Sequence, residues 1–263
     1  MTGPVVILAH ATDSGAESVA ACLVCKFGSR AVRIVRPETL SLASWSHRVN
    51  SNGRATTRLT LPNAEPIDDG RVAAVLNRIR YLPVPRFHRS STKDRDYACV
   101  EMQALVASWL AGFGTRVVHV VREHPWVTPV LPLQHWAQSA AACGLPVAVR
   151  TISSSPRALR VRSRRVLREP HAGAPARSQI ASGGTVLVAG NRANGHFSAM
   201  FGPQCLHAAR VLGFPLLEFR FSSDENGTVL TTVDPLPSLV EPWAAALTVD
   251  LLESIAGESS SWS

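Results

Sequence analysis

His10, Asp13 and Ser14 follow directly on a short apolar run, Val5-Val6-Ile7-Leu8-Ala9. A histidine just past a strand of an open α/β sheet stands where such sheets place ligands, and it suits phosphate contact or proton transfer. A plainer reading stays open, in which His10 is solvated and Asp13 or Ser14 caps the next helix. A second set, Arg78, Arg80, Arg86, His88, Arg89, Lys93 and Arg95, surrounds Tyr81 and Phe87 near the end of another apolar run. Guanidinium groups grip carboxylates through paired hydrogen bonds, so Arg78, Arg80 and Arg95 are candidate contacts to an acidic peptide or small-molecule substrate. A solvated loop accounts for the stretch equally well, and Asp94 and Asp96 partly neutralise it.

Other chemistries are excluded or bounded. Cys22 and Cys25 have CxxC spacing, but they sit in a segment with helical spacing and no second pair accompanies them, so packing explains them better than metal or redox chemistry. No Gly-x-Ser-x-Gly elbow is present, which leaves a serine hydrolase unsupported. The formal charge of +8 suits an anionic partner, but only Lys26 and Lys93 are lysines and arginine supplies the rest. Seven arginines between Arg157 and Arg177 lie among Ser, Pro, Gly and Ala. No aromatic residue there offers a stacking platform, so a linker or a docking strip for an acidic partner fits better than nucleic-acid binding.

The elements that must position these residues follow from hydrophobic spacing. Strand, loop and helix are expected over residues 5–27, with further strands at 31–35, 72–76 and 117–121 and helices at 94–113 and 133–143. Strands alternating with helices predict an α/β fold with a Rossmann-like, parallel-sheet first lobe over 1–150. An arginine-rich irregular linker is expected at 151–184. A small α+β lobe follows over 185–256, with a strand at 185–189, a turn at 190–195, a helix at 204–212, a hairpin across Asp224-Glu225-Asn226-Gly227 and a helix from Pro242. The tail, 257–263, is expected to fray. No apolar run reaches the roughly 20 residues of a membrane span, and the five scattered cysteines predict reduced thiols and a cytoplasmic protein. Helix faces carrying Trp109, Trp136 and Trp243 either pack internally or bury a surface between copies of the chain.

The order of the last lobe resembles the C-terminal end of ATP-grasp ligases of the RimK-like, peptide-ligating type: helix, strand with an acid, Asn-Gly hairpin, strand ending in an acid and Pro, helix. In that family the two strands hold Mg²⁺ against the ATP phosphates, the second ending in Glu-x-Asn-Pro. The resemblance implies that Glu218 in Leu216-Leu217-Glu218-Phe219-Arg220-Phe221 is a metal ligand. It implies the same for Asp234 in Thr232-Val233-Asp234-Pro235, in the asparagine's place, while Thr232 falls where the second carboxylate belongs. Arg165 and Arg192 are the corresponding candidates for contacting nucleotide phosphate. The family's lysine clamp has no counterpart, because no lysine follows Lys93. The implied function is a degenerate ATP-grasp-like partner or substrate-binding subunit of a carboxylate–amine ligation or peptide-modification system. An active Mg-ATP-dependent ligase is the alternative, and a basic nucleic-acid-binding module is a third reading.

Overall fold

The computed structural model describes residues 3–52, 55–62, 64–119, 131–147, 182–224 and 227–260. The arginine-rich segment, including Arg165, lies outside the described residues, as do residues 120–121 of the expected strand at 117–121 and the tip of the hairpin at 225–226.

The first half is built on four parallel strands, β1 (Val5–Leu8), β2 (Val32–Val35), β6 (Ala74–Asn77) and β7 (Val117–Val118), ordered β2-β1-β6-β7. Every residue of β1 and β6 is buried, as a parallel strand covered on both faces requires. One covering layer is α1 (Ser14–Phe27), whose Val19 and Leu23 recur on the buried stripe of a 3.6-residue period. Asp13 caps it by accepting from the Ala16 amide at 3.0 Å. The other layer includes α3 (Thr92–Gly112), which places Val106, Trp109 and Leu110 against Val6, Leu8 and Val75.

Between β2 and β6 the chain makes α2 (Pro37–Leu42) and a small antiparallel sheet of β3 (Ser44–Val49), β4 (Ala55–Thr60) and β5 (Ile67–Asp68). Sequence spacing does not predict this sheet. Its strands are short and carry mixed polar residues on a half-exposed surface, so the period-two signal is weak.

The second half holds α4 (Leu133–Ala142) and an antiparallel sheet ordered β11-β10-β8-β9, made of β8 (Ser182–Ala189), β9 (Arg192–Asn194), β10 (Leu216–Asp224) and β11 (Gly227–Asp234). It also holds the helices α5 (Ser198–Leu212) and α6 (Pro242–Ser260). The expected turn at 190–195 is a tight hairpin in which β9 pairs with β8. The helix expected from 204 begins at Ser198 and carries Pro203 within it. The final helix continues to Ser260, into the tail expected to fray.

The two halves share one core. Val5, Ile7, Leu23 and Leu76 of the first half pack with Leu187, Leu216, Leu247 and Leu252 of the second. Trp109 and Trp136 are buried and Trp243 packs on the shared core, so internal packing accounts for these tryptophans. The halves approach closely at Gly15, where a Cβ would stand 3.0 Å from the Leu239 amide nitrogen and 3.1 Å from the Leu239 Cβ. Gly15→Val therefore drives α1 away from the 236–240 loop. A loss of about 1–3 kcal/mol is expected from forced overpacking, measured by urea denaturation.

Candidate functional site

A cleft of about 390 Å³ opens where the two halves meet, over the carboxyl ends of β1 and β6. Its walls include His10, Asp13, Arg78, Arg80 and Tyr81 from the first half and Arg220, Asp234 and Ser238 from the second. The parallel sheet delivers the first set because β1 and β6 are neighbours with Leu8 opposite Asn77, so the residues after each strand emerge side by side.

His10 is buried there. Its Nε2 accepts from the amides of Arg80 at 3.1 Å and Tyr81 at 3.3 Å, and its ring stacks on Tyr81 with centroids 4.2 Å apart. Two amide donors occupy the Nε2 lone pair, so the neutral ring carries its proton on Nδ1. Burial pushes the pKa of His10 below 6.5, outweighing the opposing pull of Glu38 and Asp13. His10 thus braces the loop after β6, and its Nε2 is not free to act as a base.

Arg78 is 3% exposed. Its Nε donates to Asp13 Oδ2 at 2.8 Å and its Nη2 to Asp13 Oδ1 at 3.1 Å, while Nη1 donates to the carbonyl of Pro237 at 3.1 Å. One guanidinium therefore joins the α1 cap to the loop after β11. Among the sequence candidates for substrate contact, Arg78 serves this junction, Arg80 lies exposed on the cleft wall, and Arg95 sits on the exposed first turn of α3, outside the cleft lining. Arg192 pairs with Asp250 on the exposed surface, also outside the cleft lining.

The carboxylate pair is brought together as the hairpin predicts. Glu218 and Asp234 are direct cross-strand partners, as are Arg220 and Thr232. Two-residue alternation puts these four on one face, while Phe219, Phe221 and Val233 fill the core on the other. Sequence reading gave Arg220 no role, although the same alternation places it beside Glu218.

Arg220 Nη2 stands between the acids, donating to Glu218 Oε2 at 3.0 Å and to Asp234 Oδ2 at 3.2 Å. The Ser238 amide donates to the same Glu218 oxygen at 3.0 Å, and the Leu236 amide to Asp234 Oδ1 at 2.8 Å. The hydrogen bond that Arg220 donates to Glu218, reinforced by the charges of both acids, raises the pKa of Arg220 further despite partial burial. Mg²⁺ demands near-octahedral oxygen ligation with several open positions. This pair does not fit it: protein donors already hold three of the four carboxylate oxygens. Among the described residues, no group of three or more His, Cys, Asp or Glu is disposed to hold a metal.

The fold, an α/β architecture, is similar to that of solved ATP-grasp ligases. Similar solved structures include a macrocyclase and ATP-grasp ligases captured with precursor peptides or a leader and core peptide. The macrocyclase MdnC from Microcystis aeruginosa MRC, bound with its precursor peptide MdnA, is 10% identical with a TM-score of 0.71, over 95% of this chain and 99% of that one. The ATP-grasp ligase PsnB, complexed with a minimal precursor, is 14% identical with a TM-score of 0.68, over 97% and 99%. A RiPP-associated ATP-grasp ligase from Chryseobacterium gregarium, in complex with ADP and a leader and core peptide, is 10% identical with a TM-score of 0.68, over 96% and 97%. No family model and no curated protein matches the sequence.

Proposed function

We propose that this chain is a peptide-binding partner in a peptide-modifying ligation system, with the ATP-grasp architecture but without that fold's nucleotide grip. On this reading the first half is the Rossmann-like lobe that precedes an ATP-grasp domain, the second half is the metal end of that domain, and the protein works in the cytoplasm. The location of the lysines carries the proposal. The chain has two: Lys26 is tied to Glu253 at 2.5 Å and Lys93 stands on the exposed first turn of α3, so neither lines the cleft. Triphosphate binding at such a cleft draws on fixed cations. Here Arg78 and Arg220 already pair with acids. Support for a peptide ligand comes from the neighbours, MdnC and PsnB, which were solved with precursor peptides.

Isothermal titration of the isolated protein separates the readings. Mg-ATP should give no binding heat, whereas an acidic peptide substrate of the system should bind. Micromolar Mg-ATP affinity overturns the proposal. The alternative, an active Mg-ATP-dependent carboxylate–amine ligase, draws on the cross-strand pairing of Glu218 with Asp234. It requires ADP or AMP release with an acid and an amine, and loss of that turnover when both acids are changed to alanine.

A further inference from the structure

The carboxylate face of β10 and β11 contains its own cation. We propose that Arg220 is a resident counter-ion occupying the place a divalent metal would take between Glu218 and Asp234, and that it masks a latent cation site which its removal uncovers.

The geometry fits a replacement better than an incidental surface pair. A single nitrogen, Nη2, reaches one oxygen of each acid, at 3.0 and 3.2 Å, so the charge sits between the carboxylates as a shared ion would. The Glu218 side chain is 7% exposed, and a buried carboxylate has to keep a counter-charge. A guanidinium two residues along the same strand meets that need permanently, since it stays protonated throughout the working pH range. Divalent ions compete poorly with it. Mg²⁺ gives up its hydration shell reluctantly, and Glu218 Oε2 already accepts from both Arg220 and the Ser238 amide. Thr232, the cross-strand partner of Arg220, is exposed on the same face and adds no carboxylate. The trio keeps a net charge of one negative, which also disfavours phosphate at this end of the cleft.

Titration calorimetry with Mn²⁺, which shares the oxygen preference of Mg²⁺, tests the assignment on the full chain. Wild type and Arg220→Lys should give no heat assignable to this pair. Arg220→Met keeps an apolar stem and removes the charge, so its Mn²⁺ affinity should exceed that of wild type by about tenfold or more. Adding Glu218→Gln to that variant should abolish the gain. A folded Arg220→Met protein that binds Mn²⁺ no better than wild type overturns the proposal. If Arg220→Met does not fold, wild type decides: binding lost on Asp234→Asn refutes the resident cation, and absence of binding supports it. The two titrations fail separately: Mn²⁺ reads the Glu218–Asp234 pair in the Arg220 variants, whereas Mg-ATP reads the whole cleft of the wild-type protein.

Discussion

Arg78→Met should lower stability by about 3–5 kcal/mol, the range for removing one partner of a buried ion pair. The variant keeps much of the side-chain bulk and deletes three hydrogen bonds: two to Asp13 and one to the carbonyl of Pro237. What remains is a carboxylate 12% exposed and without its counter-charge, still fixed at the start of α1 by the Ala16 amide. For a chain of this size, about 2–4 °C per kcal/mol translates the loss into a melting temperature lower by about 6–20 °C. Asp13→Asn should also destabilise, by stranding the guanidinium. The double variant should lose less than the sum of the two, because neither charge is then left alone. Additive losses in that cycle would refute a direct coupling.

The pH dependence has a definite sign. Burial raises the pKa of Asp13, but the hydrogen bonds and charge of Arg78 outweigh it and hold the carboxyl below its ordinary 3.8. A depressed carboxyl pKa contributes stability that is full above the unfolded value and is lost as pH falls through the folded one. The Asp13 contribution is therefore complete at neutral pH and disappears only below about pH 4. Its loss should be absent from Arg78→Met.

Arg78 also shows how far the sequence could be read. Hydrophobic spacing locates β6 and the arginines that follow it, because a buried parallel strand leaves an unmistakable apolar run. It cannot say which arginine turns inward. That depends on the loop after β11, whose Pro237 lies more than 150 residues further along the chain. The hairpin was legible because alternation and an Asn-Gly turn are local signals. The resemblance singled out Glu218 and Asp234 on its two strands, and the register makes them direct cross-strand partners. Arg220 sat in plain view on the same face. Its role emerges only when both acids are seen converging on one nitrogen, a non-local fact.

The small sheet of β3, β4 and β5 was missed for a different reason. Its buried members are only Thr57, Leu59 and Ile67 among polar and exposed neighbours, so its pattern resembles a loop. The CxxC pair illustrates the reverse case. Helical spacing already placed Cys22 and Cys25 within one helix, and in α1 the former packs on the shared core while the latter is exposed.

His119 should make the protein acid-labile well above the range in which most carboxylates protonate. Its ring is buried between the two sheets, with Nε2 2.9 Å from the carbonyl of Leu216 and Nδ1 3.4 Å from that of Asn77. The shorter contact assigns the proton of the neutral ring to Nε2. Desolvation pushes its pKa down to about 4, against the opposing pull of the two carbonyls. A histidine whose folded pKa is lowered binds fewer protons folded than unfolded between those two values, so stability falls as pH drops from 6.5 towards 4. Integrated over that window the loss is about 3 kcal/mol, with none above it. The backbone suggests the right control, since His119 has φ of 71°, a left-handed conformation that asparagine tolerates. His119→Asn should cost about 1 kcal/mol at pH 7 through its poorer reach to Leu216. It should then lose markedly less than wild type between pH 7 and pH 4.5, because it has no ring to protonate. Urea denaturation of both proteins at pH 7, 5.5 and 4.5 makes the comparison, and the other titrating groups cancel in the difference. Parallel pH profiles would mean that His119 is not the group that couples the sheets to acid.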